Sequence, residues 1–275
     1  MDAEAYFNSV EARSRRVETP CGDGRMVWRI WGEGAPLVFI HGGAGAWSHW
    51  IRNIPVFEGS RMVIVPDLPG LGDSASPPKP YTPESIAKIA ADGLHQVLPP
   101  GGQFDMAGFS FGGMISGLIA MRHGARVRTL TLMGASGLGG KFGNIGAPVK
   151  LPLDGTPEEM AAAHRHNLLA IMLHNPEKVD DYAMYMQATN APRTRILSPE
   201  HALSHKLRDA LHEIPAKICS IWGEFDIFSP YLQDRREIIS SIHPSAEFHI
   251  VPGAGHWVQF EEADAANALL RRFIG

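Results

Sequence analysis

The run Gly108-Phe109-Ser110-Phe111-Gly112-Gly113 sets one serine between glycines two positions to either side. It follows the apolar segment Phe104 to Ala107 and precedes the apolar run Met114 to Met121, so the serine falls at a turn from strand into helix. A turn that sharp strains the serine backbone, and the glycines remove the Cβ atoms that would collide there. Ser110 Oγ then projects above the sheet as a nucleophile. The same turn aims the first free N–H groups of the helix at the reacting centre, which makes the Phe111 N–H a candidate donor to a developing oxyanion. The plain alternative is a glycine-rich turn with an incidental serine, and the rest of the chain argues against it.

A serine hydroxyl needs a base within hydrogen-bond reach and an acid behind that base. Of thirteen histidines, His256 is the candidate base: it follows the segment Glu247 to Val251 through the small-residue loop Pro252-Gly253-Ala254-Gly255. The acid is sought at another strand end between serine and histidine. There Ile218 to Trp222 runs into Gly223-Glu224-Phe225-Asp226, which offers two carboxylates. Asp226 is preferred, because a short, stiff side chain deeper in the loop can fix the imidazole tautomer; Glu224 is the alternative. A second oxyanion donor is expected from His41-Gly42-Gly43-Ala44-Gly45-Ala46-Trp47, with the Gly43 N–H first and Ala44 beside it.

These residues converge only if parallel strands bring their carboxyl ends to one edge. Short apolar runs alternate with amphipathic stretches, the pattern of an α/β chain with a mostly parallel sheet covered by helices. Strands are predicted over Met26 to Trp31, Leu37 to Ile40, Met62 to Val65, Phe104 to Ala107, Val127 to Met133, Ile218 to Trp222 and Glu247 to Val251. Thr82 caps a helix begun by Pro83 that buries Ile86, Ile89, Ala90, Leu94 and Val97, and a last helix from about Glu261 carries Ala265, Leu269 and Phe273. Residues 137–213 break this rhythm with successive helical patterns, among them a capping box at Thr156-Pro157-Glu159 and a start at Ser198-Pro199. They are read as a helical cap inserted into a core of residues 1–136 and 214–275. Its glycine-rich opening (Gly137, Gly139, Gly140, Gly143, Gly146) suggests a mobile hinge or loop rather than a packed element, and Met160, Met172, Met184 and Met186 are either core or a pliable substrate wall.

Composition removes other classes. Lys plus Arg number 25 against 29 Asp plus Glu, without a basic block, so nucleic acid is not an expected partner. The uncharged stretch Met106 to Met121 is too short and too glycine-rich for a membrane span. Two cysteines, Cys21 and Cys219, and an acidic opening without a signal pattern suggest the cytoplasm. Gly70-x-Gly72 is followed by Pro77, Pro78 and Pro80 where a dinucleotide site needs a helix, and Gly134 to Lys141 lacks P-loop spacing. His201 with His205, and His164 with His166, lack a carboxylate-histidine metal signature, so neither metal nor cofactor is expected. A homodimer remains open.

His41-Gly42-Gly43, Asp67-Leu68-Pro69-Gly70-Leu71-Gly72-Asp73-Ser74, the turn at Ser110, the loop at Asp226 and Gly255-His256-Trp257 together resemble the α/β-hydrolase-fold family, in its chain order Ser, Asp, His. The resemblance spans nearly the whole chain. It implies a sheet of about eight strands, a cap after the sixth, and a cofactor-free Ser-His-Asp site acting on a small molecule. Gly255-His256-Trp257-Val258-Gln259-Phe260-Glu261 resembles the subgroup that hydrolyses carbon-carbon bonds in ring-cleavage dienoates. That subgroup usually carries Asn before the nucleophile, where Phe109 stands here, and a lid arginine, for which Arg193 or Arg195 is the candidate. The expectation is therefore ester hydrolysis through an acyl-enzyme on Ser110. A carbon-carbon hydrolase is the alternative, and a non-catalytic ligand sensor on the same fold a further one. Gly42, Ala44, Phe109, Ser136, Arg193 and Trp257 are the candidate substrate-binding residues.

Overall fold

The computed structural model describes residues 2–143, 146–197 and 199–275. The helix start expected at Ser198 lies outside the described residues. One eight-stranded sheet organises the chain: β1 (Arg15–Cys21), β2 (Gly24–Trp31), β3 (Ala35–Ile40), β4 (Arg61–Pro66), β5 (Phe104–Phe109), β6 (Val127–Met133), β7 (Lys217–Gly223) and β8 (Glu247–Val251), in the order β1-β2-β4-β3-β5-β6-β7-β8. β2 runs antiparallel to both β1 and β4, and every other pairing is parallel. β3 pairs with β4 on one side and β5 on the other, so the strand order reverses at β3 and a crevice opens beyond the carboxyl ends of β3 and β5.

The helices are α1 (Ala3–Glu11), α2 (Ile54–Phe57), α3 (Pro83–Val97), α4 (Phe111–His123), α5 (Pro157–Ile171), α6 (Asp181–Asn190), α7 (Pro199–Ala202), α8 (Lys206–Leu211), α9 (Leu232–Ile242), α10 (Val258–Glu261) and α11 (Ala263–Ile274). They cover both faces of the sheet, which is why its strands read as unbroken apolar runs. In β3, Val38 and Ile40 join the core shared with α3, α4 and α8, while Leu37 and Phe39 join the opposite core with α2, α10 and α11. Between β6 and β7 the described residues form helices α5 to α8 and no strand. The architecture is thus α/β, a mostly parallel sheet flanked by helices with a helical insertion.

Three expectations need correction. β1 is a strand that apolar pattern does not announce: Arg15-Arg16-Val17-Glu18-Thr19-Pro20-Cys21 lies at the sheet edge and pairs on one side only, where charge and proline are tolerated. The last helix buries Ala266, Leu270 and Ile274 and packs the expected Leu269 and Phe273, half-buried, against the core that Leu270 and Ile274 join, but Ala265 is exposed. The helix also starts later than about Glu261, because Val258–Glu261 forms a separate short helix, α10. The glycine-rich opening of the insertion is a loop, as expected, but its start is packed: Gly137 and Gly139 are buried while Gly140 is exposed, Gly137 N donates to Ala202 O, and Gly137 O accepts from Leu207 N at 2.8 Å. A Cβ on Gly137 would lie 2.7 Å from Met114 Sδ, so glycine serves close approach to α4 there rather than a hinge.

The capping box at Thr156 and Glu159 and the cap at Thr82 form as expected, the latter with Ser85 as reciprocal partner. No helix among the described residues is long and apolar enough to cross a membrane.

Candidate active site

Ser110 joins β5 to α4 at φ 54° and ψ −121°. For a residue with a Cβ that region costs on the order of 1–3 kcal/mol, so the surroundings must impose it. They do so through the backbone. Ser110 N donates to Met133 O at 2.9 Å, and Ser110 O accepts from Gly113 N at 2.9 Å and Ser136 N at 3.1 Å. A Cβ on Gly112 would stand 2.1 Å from His41 O, which shows how closely α4 approaches the loop after β3. The serine itself is half-buried.

At the ends of β7 and β8 the structure brings Asp226 and His256 together. His256 Nδ1 lies 2.9 Å from Asp226 Oδ2, and both residues are buried. The other carboxylate oxygen, Oδ1, accepts from Phe228 N at 3.0 Å, so Asp226 is oriented from both sides. An aspartate so placed accepts the Nδ1 proton and leaves Nε2 as the basic nitrogen. The imidazole is flanked by Phe228 and Phe109, with ring centroids at 4.5 and 4.9 Å. Phe109 immediately precedes Ser110, and this contact ties the histidine to the strand that carries the serine. Gly134, which sequence reasoning did not single out, makes room: a Cβ there would lie 3.0 Å from His256 Nδ1 and 3.1 Å from Asp226 Oδ2. Glu224, the alternative acid, instead accepts from Gly253 N at 3.0 Å and braces the histidine loop from outside.

The loop after β3 is shaped by β4. His41 Nε2 accepts from Leu68 N at 2.9 Å, which leaves Nδ1 to donate to Gly42 O at 2.8 Å. Burial lowers the His41 pKa, consistent with this neutral form. Asp67 Oδ1 accepts from Trp47 N at 2.8 Å, while Oδ2 takes Asp73 N and Arg29 Nη1 at 2.9 and 3.0 Å. These bonds hold residues 41–47 against the serine, where a Cβ on Gly42 would stand 3.2 Å from Ser110 Cβ. Gly43 is half-buried on this loop, and Ala44 is exposed at φ 50°.

The remaining candidates divide. Ser136 touches Ser110 through its Oγ, 3.3 Å from Ser110 O. Phe109 and Trp257 are buried within the core and face His49, with ring centroids at 5.8 and 4.8 Å. Arg193 does not turn into the site: Nη1 pairs with Asp73 Oδ1 at 3.1 Å and the side chain is half exposed. Arg195 likewise donates to the carbonyls of Gly72 and Ser74. The short 191–193 turn that carries Arg193 sits over the 67–74 loop, and Asp73 captures the guanidinium there.

His49 was missed, its only signal being its place just beyond the glycine loop. Burial first, then the neighbouring His41 and His256, hold its imidazole well below the ordinary value, so it is neutral, and its Nδ1 is buried without a partner among the described residues. A cavity of about 100 Å³ opens on His256, walled by Ile171, Met172 and Leu173 of the insertion and by Phe225 and Ile227 of the acid loop. Met172 is thus a cavity wall, whereas Met186 is core. Among the described residues no group of three or more His, Cys, Asp or Glu is placed to hold a metal ion.

Residues 35–263, which contain all three rim residues, match the alpha/beta hydrolase fold family. A 2-hydroxy-6-oxononadienedioate/2-hydroxy-6-oxononatrienedioate hydrolase of Paraburkholderia phymatum is 30% identical, covering 87% of this chain and 86% of that protein. A 2-hydroxy-6-oxo-6-phenylhexa-2,4-dienoate hydrolase of Burkholderia cepacia is 28% identical, covering 88% of each. The crystal structure of an esterase from Rhodococcus sp. ECU1013 superposes with a TM-score of 0.76 at 19% identity, over 95% of this chain and 98% of that one, a likeness of fold alone. The chain belongs to the alpha/beta-hydrolase-fold family and is a hydrolytic enzyme acting on a small organic substrate.

Proposed function

We propose that this enzyme hydrolyses a carbon-carbon bond in a dienoate of the ring-cleavage kind, with Ser110, His256 and Asp226 as its catalytic residues. The observation that carries this reading is sequence kinship over seven-eighths of the chain with proteins named as dienoate hydrolases. In the proposed sequence His256 Nε2 first relays a proton from the enol oxygen to the carbon beside the ketone. Ser110 Oγ then attacks the ketone carbon as His256 takes its proton, and the N–H groups of Gly43 and Phe111 hold the oxyanion. Collapse breaks the adjacent carbon-carbon bond, the electron pair passes into the conjugated system, and His256 protonates the resulting dienolate. Water activated by His256 cleaves the acyl-Ser110 ester to a carboxylic acid and restores the serine. Asp226 fixes the tautomer throughout. Residues 137–213 act as the cap over this site.

Ester hydrolysis by the same three residues is the second reading. It is favoured by Phe109 in place of the usual Asn and by the engagement of Arg193 with Asp73, which together leave a dienoate carboxylate without those two partners. One comparison separates them: loss of dienoate colour against release of p-nitrophenol from a small ester. The proposal expects the dienoate to be consumed with the higher kcat/KM, and both activities to vanish in Ser110→Ala and His256→Ala. Brisk ester cleavage with an untouched dienoate would transfer the assignment to the second reading.

A further inference from the structure

Glu261 is a buried carboxylate that the sequence above uses nowhere. Its Oε1 accepts from His174 N at 2.8 Å and Asn175 N at 2.6 Å, both in the insertion just after α5. Its Oε2 accepts from Gly255 N at 2.6 Å, in the loop that presents His256. The peptide on the other side of His256 is held as well, since Trp257 N donates to Met172 O at 2.8 Å. Lys178 Nζ adds a bond to Glu261 O and an ion pair with Glu262, each at 3.0 Å. Both neighbours of His256 therefore take their hydrogen bonds from Glu261 or from the insertion. Met172, Leu173 and His174 also line the cavity that His256 lines.

A carboxylate suits this post because its two oxygens accept from opposite directions at once. The isosteric amide has one acceptor and would turn an NH2 group toward a backbone N–H. Among the described residues the Glu261 carboxylate makes no ion pair, so backbone N–H groups carry its desolvation.

We infer that Glu261 is a positioning residue that makes the placement of His256 conditional on the docking of the insertion. The histidine is aligned when segment 172–175 is seated; unseating that segment frees Trp257 N from Met172 O and strips the Glu261 carboxylate, which holds Gly255 N, of its other two donors. The inference rests on the reading of His256 as the catalytic base.

Glu261→Gln is the test, at a temperature where circular dichroism shows the variant folded. Turnover of the better substrate, and covalent labelling of Ser110 by a small fluorophosphonate, should both slow by about tenfold or more, since small misplacements of catalytic groups carry losses of that order. The fluorophosphonate is small enough to ignore the substrate wall, so slowed labelling reports the histidine. Labelling and kcat both within about twofold of the parent, with only the melting temperature lowered, would overturn the inference. If the variant does not fold, amide exchange in the unaltered protein decides: Gly255 and Asn175 should show a shared protection, and a difference above about tenfold would overturn the coupling. Exchange does not depend on turnover, so failure of the coupling and failure of the hydrolytic reading are seen separately.

Discussion

At the rim of the sheet, Leu37 to Ile40, Met106 to Phe109 and Leu130 to Met133 are buried and knitted by parallel ladders, whereas in the insertion Leu153, Leu197 and Leu203 stand exposed. The insertion does bury Leu168, Ala183 and Met186 against the core, yet many of its attachments are polar and single. Arg52 reaches Asp180, Asn190 meets Ser48, Lys206 meets Glu84, and Glu261 clips His174 and Asn175. The residues proposed for catalysis are built on the rim, where packing and ladders over-determine the backbone. The insertion proposed as the cap adds separable polar bonds to its apolar packing.

The largest way to break this contrast is at its most rigid point. Ser110→Gly removes the proposed nucleophile and also relieves the positive φ. Turnover should fall on the order of a millionfold, as for loss of a catalytic serine, while denaturant unfolding should show a gain on the order of 1 kcal/mol. A variant that loses activity without gaining stability would mean that the rim does not store strain at Ser110.

Next is Arg29→Met. Arg29 and Asp67 are both buried and 3.0 Å apart, and removal of the cation leaves Asp67 uncompensated, a loss of about 3–5 kcal/mol in such pairs. Because Asp67 also holds Trp47 N, kcat should fall with stability. Unfolding curves and turnover on the same samples check both.

Acid should loosen the fold through its buried imidazoles on both sides of this contrast. Burial lowers the pKa of His41, His49, His123 and His164 below 6.5 in the folded protein. Their contribution to stability is complete above that unfolded value and is lost as pH falls through it toward the folded values. Glu261, raised by burial against the pull of its backbone N–H partners, works in the opposite sense and favours the fold at low pH. The unfolding midpoint should therefore drop between pH 7 and pH 5; a flat profile would show that these imidazoles accept protons in place.

The smallest effect sharpens the other side of the contrast. Arg52→Ala removes the half-exposed pair with Asp180 and the contact with the Phe260 ring, and should lower stability by less than about 1 kcal/mol. KM should rise by a few-fold with kcat little changed, because the wall loosens while the rim stays. Steady-state kinetics distinguish this from a general loss of fold.

Much of the rim was readable in advance because its residues obey local rules. The glycine spacing around Ser110 answers to close contacts with the His41 carbonyl and the Ser116 side chain, and the apolar runs of β3, β5 and β6 answer to two covered faces. Arg193 illustrates the opposite case. Its type suggested a substrate anchor, but the direction of a long, flexible side chain depends on which carboxylate lies nearest in space, and Asp73 is distant in sequence. His49 and Glu261 were hidden for the same reason, since nothing in their immediate neighbours marks them as buried.

The sequence by itself determined the α/β class, the turn that strains Ser110, and the chain positions of Asp226 and His256, because strand period, glycine spacing and capping act over a few residues. Tertiary structure alone decided that Asp226 faces His256 at 2.9 Å, that the arginines of the insertion turn outward, and that Glu261 joins the insertion to the histidine loop. Those outcomes depend on packing and hydrogen bonding between segments far apart in the chain, where the burial of a polar group and the partner that compensates it are set together.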